Sequence, residues 1–190
     1  MGFEFELKFR TTPETLEKIR EAYPGGQVIQ METAYYDTPQ GCLSAKKYTL
    51  RRRRENGESV CTLKTPGAGP LRGEFETRCE KIEDAIPELC KLSGAGLPTA
   101  GLTEVCGAKF TRYAKDVTLP GGTLELAADK GVLTGGGKEQ PFWEIEVELK
   151  SGSRESVVVF AKALSEKYAL EAEERSKFKR ALELAKYGRF

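Results

Sequence analysis

Glu4, Glu6 and Lys8 occupy every second position near the start of the chain, with Phe3, Phe5, Leu7 and Phe9 between them. Residues two apart on a β-strand share a face, so this spacing puts two carboxylates and an ammonium in one row. The pattern recurs. Arg51 and Arg53 are two apart, as are Thr62 and Lys64, and Arg72, Glu74 and Glu76 follow the same rule. Arg112 follows Phe110. Glu125, Ala127 and Asp129 form another row, and Glu144, Glu146 and Glu148 alternate with Trp143, Ile145, Val147 and Leu149. Carboxylate clusters without histidine or cysteine select hard cations such as Mg²⁺ or Mn²⁺. Arginine grips anionic oxygens in a bidentate way, and lysine acts as a point charge. A ligand that asks for many cationic donors together with a divalent metal is a polyphosphate chain.

Residues two apart on a strand lie about 6.5–7 Å apart at the backbone. Glu4 and Glu6 can therefore converge on one ion, with Asp129, Glu144 and Glu146 supplying the opposite wall. Lys8, Arg51, Arg53, Lys64 and Arg112 are the candidate anion grips. Any one of these rows is also what the wet face of an ordinary antiparallel sheet looks like. Counted together they are segregated: acids gather at 4–6, 125–129 and 144–148, bases at 51–64. If the sheet closes with these faces inward, nine carboxylates line the interior: Glu4, Glu6, Glu74, Glu76, Glu125, Asp129, Glu144, Glu146 and Glu148. An unpaired buried charge costs several kcal/mol, against a whole-protein stability of about 5–15 kcal/mol. The expected interior is therefore a wide, water-filled tunnel with cations among the acids.

The elements that must position these rows are mostly strands. Thr12 caps and Pro13 opens a helix to about Ala22. Strands are expected over 28–37, 48–54, 60–65, 71–79, 109–119, 123–130 and 142–150, with a turn cluster at 37–41. Asn56-Gly57 marks a hairpin. Loops are expected at 66–70 and 93–101, and a flexible turn at 134–141. The segment 82–92 reads as a short helix interrupted by Pro87. Val157, Phe160, Ala161, Leu164 and Tyr168 recur at helical spacing, and a last helix is expected over 173–186. With no repeat and no splitting linker, one domain over 1–190 is expected. It would be an α+β fold: an eight-stranded antiparallel β-barrel, or tunnel, with a polar charged interior and helices packed outside.

Composition excludes several functions. Thirty basic and 29 acidic residues among 190 leave a net charge of +1, which argues against a dedicated nucleic-acid or membrane binder. No apolar run is long enough to span a bilayer, and there is no basic-apolar leader. The five cysteines are scattered, without a C-x-x-C, as in a reducing, cytoplasmic protein. The chain has no histidine, so Ser-His, Cys-His and His-metal chemistry is ruled out. The expected partner is a small molecule with a polyphosphate chain, with monomer and homodimer both open.

The sequence resembles the CYTH domains, or triphosphate tunnel metalloenzymes, over nearly its whole length. Glu4-x-Glu6-x-Lys8 matches the ExExK signature of that family. Tyr35-Tyr36-Asp37-Thr38-Pro39 is similar to its second-strand segment, Leu50-Arg51-Arg52-Arg53 to its L-R-x-R, Thr62-Leu63-Lys64 to its T-x-K and Arg72-Gly73-Glu74-Phe75-Glu76 to its R-x-E-x-E. Arg112 falls at its strand-six arginine. Glu125 to Asp129 with Gly131, and Glu144 to Glu148, match its acidic pair of strands, and Ser176-Lys177 resembles its late S-K, whose lysine enters the tunnel. Phe110 departs from branches that carry lysine two before the arginine. The block pattern is most similar to the bacterial inorganic triphosphatase branch.

The resemblance implies Mg²⁺- or Mn²⁺-dependent hydrolysis of a triphosphate. Lys8, Arg51, Arg53, Lys64, Arg72, Arg112 and Lys177 would bind the substrate. Glu4, Glu6, Asp129, Glu144 and Glu146 would bind metal. Glu4, Glu6, Lys8, Arg112, Glu144 and Glu146 would carry the chemistry. Alternatives are the family's other reactions (thiamine triphosphatase, nucleoside or RNA triphosphatase, class IV adenylyl cyclase) and a binding module without turnover. Glu148 and Glu76 are expected to be structural or at the rim, Arg52 and Arg54 outside or at the mouth, and Trp143 an outer packing anchor.

Overall fold

The computed structural model describes residues 2, 3, 5–67 and 72–186. In chain order the elements begin with β1 (Gly2–Phe3), β2 (Glu6–Arg10), α1 (Pro13–Ala22), β3 (Gln27–Asp37), α2 (Cys42–Ala45), β4 (Thr49–Glu55), β5 (Glu58–Pro66) and β6 (Arg72–Arg78). They continue with α3 (Ile82–Ser93), β7 (Thr103–Leu119), β8 (Gly122–Gly135), β9 (Lys138–Gly152), α4 (Arg154–Tyr168), β10 (Glu171–Ala172) and α5 (Lys177–Lys186).

The strands form one antiparallel sheet in the order β1-β6-β5-β4-β3-β7-β8-β9-β2-β10. β1 pairs with β6 and β2 with β9, so the N-terminal stretch reaches both sides of this order. Among the described residues no ladder joins β1 to β10, so the wrap is tunnel-like without being a continuously bonded cylinder. Taking β1 and β2 as two halves of one strand, and setting aside the two-residue β10, leaves the expected eight.

The alternation decides which face is greasy. Leu124, Leu126, Ala128, Ile145 and Val147 pack on Leu16 and Ile19 of α1 and on Val157, Ala161 and Leu164 of α4. Leu50, Cys61, Leu63 and Phe75 pack on Ile82, Ala85, Ile86 and Leu89 of α3 and Leu43 of α2. Each fully buried aliphatic side chain of this kind contributes about 1.5–3 kcal/mol. The charged rows stand one residue out of phase and face the other way. Trp143 packs against the α1–α4 cluster, as expected of an outer anchor.

α5 is the exception to helices outside. Its Ala181, Phe178, Leu182 and Ala185 pack with Met31, Tyr35, Cys106, Ala108, Phe110, Leu133 and Phe142. Phe110 and Phe142 share their strand face with Arg112 and Glu144, so α5 covers part of the charged side. The interior is consequently not a uniformly wet tunnel, because its apolar stretch is filled by a helix.

Several local expectations hold. Thr12 Oγ1 accepts from Thr15 N–H at 3.2 Å, with Pro13 opening α1. Asn56 and Gly57 both take positive φ, 49° and 93°, giving the β4–β5 hairpin a turn that suits the right-handed twist of its strands. Others are corrected. The segment 134–141 is mostly ladder: β8 runs to Gly135, β9 starts at Lys138, and Gly136 and Gly137 make a tight turn with φ 58° and 75°. β7 begins at Thr103, six residues earlier than expected, because 103–108 completes the pairing along the long β3. Pro87 does not interrupt α3, whose Ile82, Ala85, Ile86 and Leu89 bury a full stripe. The last helix starts at Lys177 and not at 173. Ser176 Oγ accepts from Lys179 N–H at 3.1 Å, while Glu173 N–H bonds to Lys8 O.

Candidate active site in the charged tunnel

Two stretches of opposite character lie on either side of β3 in the sheet. On the acid-rich side, β8 contributes Asp129 and β9 contributes Glu144 and Glu146. Asp129 and Glu144 are fully buried and Glu146 nearly so. Burial on this scale is tolerable only with matched countercharge, and the match is close. Arg112 on β7 stands directly opposite Asp129 in register. Its Nε and Nη2 donate to the two Asp129 oxygens at 2.8 Å each, and Nη2 also donates to Glu146 Oε2. Lys177 Nζ donates to Asp129 Oδ2 at 2.8 Å, to Glu146 Oε1 at 2.8 Å and to Glu144 Oε1. Arg180 Nη2 donates to Glu144 Oε2. Three carboxylates therefore meet three cations.

The electrostatics follow. Burial pushes Glu144 above the ordinary carboxylate value. Burial acts the same way on Glu146, but Lys177 and Arg112 outweigh it and hold Glu146 well below. Burial would lower Lys177, yet Asp129, Glu144 and Glu146 keep it above the ordinary lysine value. Arg112 is likewise raised by Asp129 and Glu146 against the effect of burial. The Phe110 and Phe142 rings lie 4.9 and 5.5 Å from Lys177 Nζ, adding cation–π contact.

A second acid row lies further along the same wall. β2 is in register with β9 so that Glu6 stands opposite Glu148, and Glu148 stands opposite Glu125 on β8. Like charges directly across a ladder are destabilising. Lys8 Nζ meets Glu6 at 2.9 Å, and Lys150 Nζ meets Glu148 at 3.3 Å and Glu125 at 3.5 Å. Glu148 thus stands in register between Glu6 and Glu125. Only the register reveals this. Glu4 lies outside the described residues.

The basic side is looser. Glu74 on β6 is shared by Arg51 Nη2 at 3.5 Å and Lys64 Nζ at 3.3 Å, and Arg53 Nη2 meets Glu55 at 2.5 Å. The Nε atoms of Arg51 and Arg53 are buried without a hydrogen-bond partner. Burial, with Arg51 alongside, lowers the Arg53 pKa. Arg180 Nε on the acid-rich side is likewise buried without a partner. Thr62 Oγ1 donates to Glu76 at 2.9 Å, and Glu76 is exposed. The backbone of Arg72 pairs with Pro66, but its side chain lies outside the described residues. Arg52 and Arg54 face away, bonding to Glu80.

The structure therefore brings Lys177, Arg112, Asp129, Glu144 and Glu146 into one cluster and places Arg51, Arg53 and Lys64 on another wall. Arg180 was missed by the sequence reading. Its signal was available, since Lys177 and Arg180 are one helical turn apart and share a face. Asp37 is structural: its carboxylate accepts from the backbone N–H groups of Thr38, Leu43 and Ser44. Cys61 and Cys106 are buried, and burial pushes both thiols up to about 12, so they behave as inert core residues.

As donors for a metal, the oxygens of Asp129, Glu144 and Glu146 lie within 4.8 Å of one another. Three carboxylates suit a hard divalent ion. A cation already stands on that seat, the Lys177 ammonium.

The CYTH domain family model matches residues 2–182. The chain is 30% identical over 172 residues to inorganic triphosphatase from Haemophilus influenzae, covering 85% of this chain and 49% of that protein. It is 31% identical over 152 residues to human thiamine-triphosphatase, covering 76% of this chain and 61% of that one. It thus spans between 49% and 61% of the length of these curated relatives. A solved structure from Pyrococcus horikoshii OT3 aligns over 95% of this chain and 99% of its own, with TM-score 0.64 and 26% identity. A candidate adenylyl cyclase from Hippeastrum with a dominant triphosphatase activity aligns over 100% and 97%, with TM-score 0.68. At 17% identity that likeness is one of fold alone.

Proposed function

Since the chain belongs to the CYTH domain family, we propose that it is a metal-dependent triphosphatase that hydrolyses inorganic triphosphate to pyrophosphate and phosphate. The observation that carries this reading is the charged face itself: a basic stretch of Arg51, Arg53 and Lys64, and on β8 and β9 a carboxylate cluster suited to cations. The likeness to an inorganic triphosphatase and a thiamine-triphosphatase supports the same class of substrate. Phosphoryl transfer asks mainly for positioning and charge neutralisation, and this arrangement offers both.

In this reading Arg51, Arg53 and Lys64 hold the triphosphate oxygens, with Lys8 and Arg72 extending the grip. Arg112 fixes Asp129 and Glu146, so those carboxylates keep one orientation while the substrate enters. Glu4 and Glu6, with Asp129, Glu144 and Glu146, would hold Mg²⁺ or Mn²⁺, which when bound neutralises phosphate charge and activates water. Water adds to the terminal phosphorus, the phosphoanhydride bond breaks, and pyrophosphate leaves. With no histidine in the chain, a carboxylate of the acid wall accepts the proton.

The test is phosphate release from tripolyphosphate, thiamine triphosphate and ATP, each with Mg²⁺, Mn²⁺ or EDTA. Release from tripolyphosphate above the other two, abolished by EDTA, is expected. Tight binding of tripolyphosphate with no release under any condition would replace the hydrolase by a binding module.

A further inference from the structure

Lys177 occupies the place that a divalent ion would take. Its Nζ donates to Asp129, Glu144 and Glu146, and the rings of Phe110 and Phe142 close the seat from the apolar side. With Arg112 and Arg180 the cluster is balanced, three positive charges against three negative. A divalent ion added to this balanced set would leave two uncompensated positive charges in a buried site, which is strongly unfavourable. One resident cation has to leave. Arg112 is anchored on a central strand by a two-pronged bond to Asp129. Arg180 lies in the second half of the turn, buried beside the fully buried Ala181. Lys177 is the first residue of α5, on a flexible four-carbon stem, at a helix end where local opening costs least.

We propose that Lys177 is a built-in competitor for the divalent ion: ion and ammonium share one carboxylate seat, so that loading the metal expels Lys177, loosens the start of α5 and frees the ammonium for the triphosphate. Arg180 stays on Glu144 throughout and keeps that carboxylate in place. Metal and triphosphate then help one another bind, each by the same factor. This rests on the triphosphatase reading for the metal but concerns only the residues of this chain.

The experiment uses Mn²⁺ alone, without substrate. Amide hydrogen exchange across Arg180–Leu184 is followed in the wild-type protein with and without saturating Mn²⁺, and Mn²⁺ affinity is measured by EPR for wild type and Lys177→Met. Exchange at least threefold faster with Mn²⁺, and affinity at least tenfold tighter in the variant, are expected. Unchanged α5 exchange, or a Lys177→Met protein that binds Mn²⁺ no more tightly, overturns the proposal. If the variant does not fold, wild-type exchange decides. Metal-dependent hydrolysis without a response of α5 would sink this inference alone, whereas a responding α5 without hydrolysis would sink the triphosphatase reading alone.

Discussion

The two sides of the tunnel carry similar residue types and are built in opposite ways. On the β7–β9 side every buried carboxylate of the cluster has a cation in hydrogen-bond contact, supplied by Arg112, Lys177 and Arg180. On the β4–β6 side Glu74 is divided between Arg51 and Lys64 at longer distances, while buried arginine Nε atoms without a partner occur on both sides, Arg51 and Arg53 on this one and Arg180 on the other. The first arrangement balances its buried charges at short range among its own residues. The second does so at longer distances.

The largest effect should come from breaking the compensated side. Arg112→Met leaves Asp129 and Glu146 buried with too little countercharge and is expected to cost about 3–5 kcal/mol of stability, read by urea unfolding. A cost below about 1 kcal/mol would erase the distinction between the walls. Arg53→Met is expected to do the reverse. Stability should stay within about 1 kcal/mol, because Arg53 is already held at a desolvation cost. Tripolyphosphate affinity, measured by calorimetry, should fall by about 1.5–3 kcal/mol for the lost charge-assisted bonds.

Next in size is Glu6→Gln, expected to raise the Mg²⁺ concentration for half-maximal hydrolysis about tenfold. Unchanged hydrolysis at every Mg²⁺ concentration would remove this strand from metal binding. Smaller again is the Glu173–Arg175 pair at the start of α5. Hydrogen bonding from Arg175 is the main cause that lowers Glu173 to about 2 from 4.5. A depressed carboxylate stabilises above its unfolded value, so the advantage of wild type over Glu173→Gln should be full above about pH 4.5 and vanish toward about pH 2. Thermal unfolding across that window checks it, and a difference that grows on acidification would contradict it. The smallest effect is reserved for the outside: the exposed Lys109–Glu32 pair at 3.4 Å should contribute less than about 1 kcal/mol, so Lys109→Ala should unfold within that margin of wild type.

Much of this was legible in the sequence because the period of a strand is local. Glu6 and Lys8, Arg51 and Arg53, and Glu144 and Glu146 reveal a common face by spacing alone. What escaped is set by tertiary partners. Nothing near residue 148 says that Glu148 stands opposite Glu6, since register belongs to the pair of strands. The resemblance at Ser176-Lys177 puts that lysine on the charged side, but not the helix that follows it. The place of the helix follows from the apolar stretch of Phe110, Leu133 and Phe142, which read as single residues on separate strands until the sheet gathered them. The same gathering brings the Phe110 ring to 4.9 Å from the Lys177 ammonium, where it lines that seat.

The most direct test of the central claim is phosphate release from tripolyphosphate by wild type and Arg53→Met, followed side by side in Mg²⁺ and in EDTA. Release by wild type in Mg²⁺, none in EDTA, and release at sub-saturating tripolyphosphate at least about tenfold slower in the variant is the predicted result. Wild-type release that persists in EDTA, or an Arg53→Met protein that keeps the wild-type rate there, would contradict it.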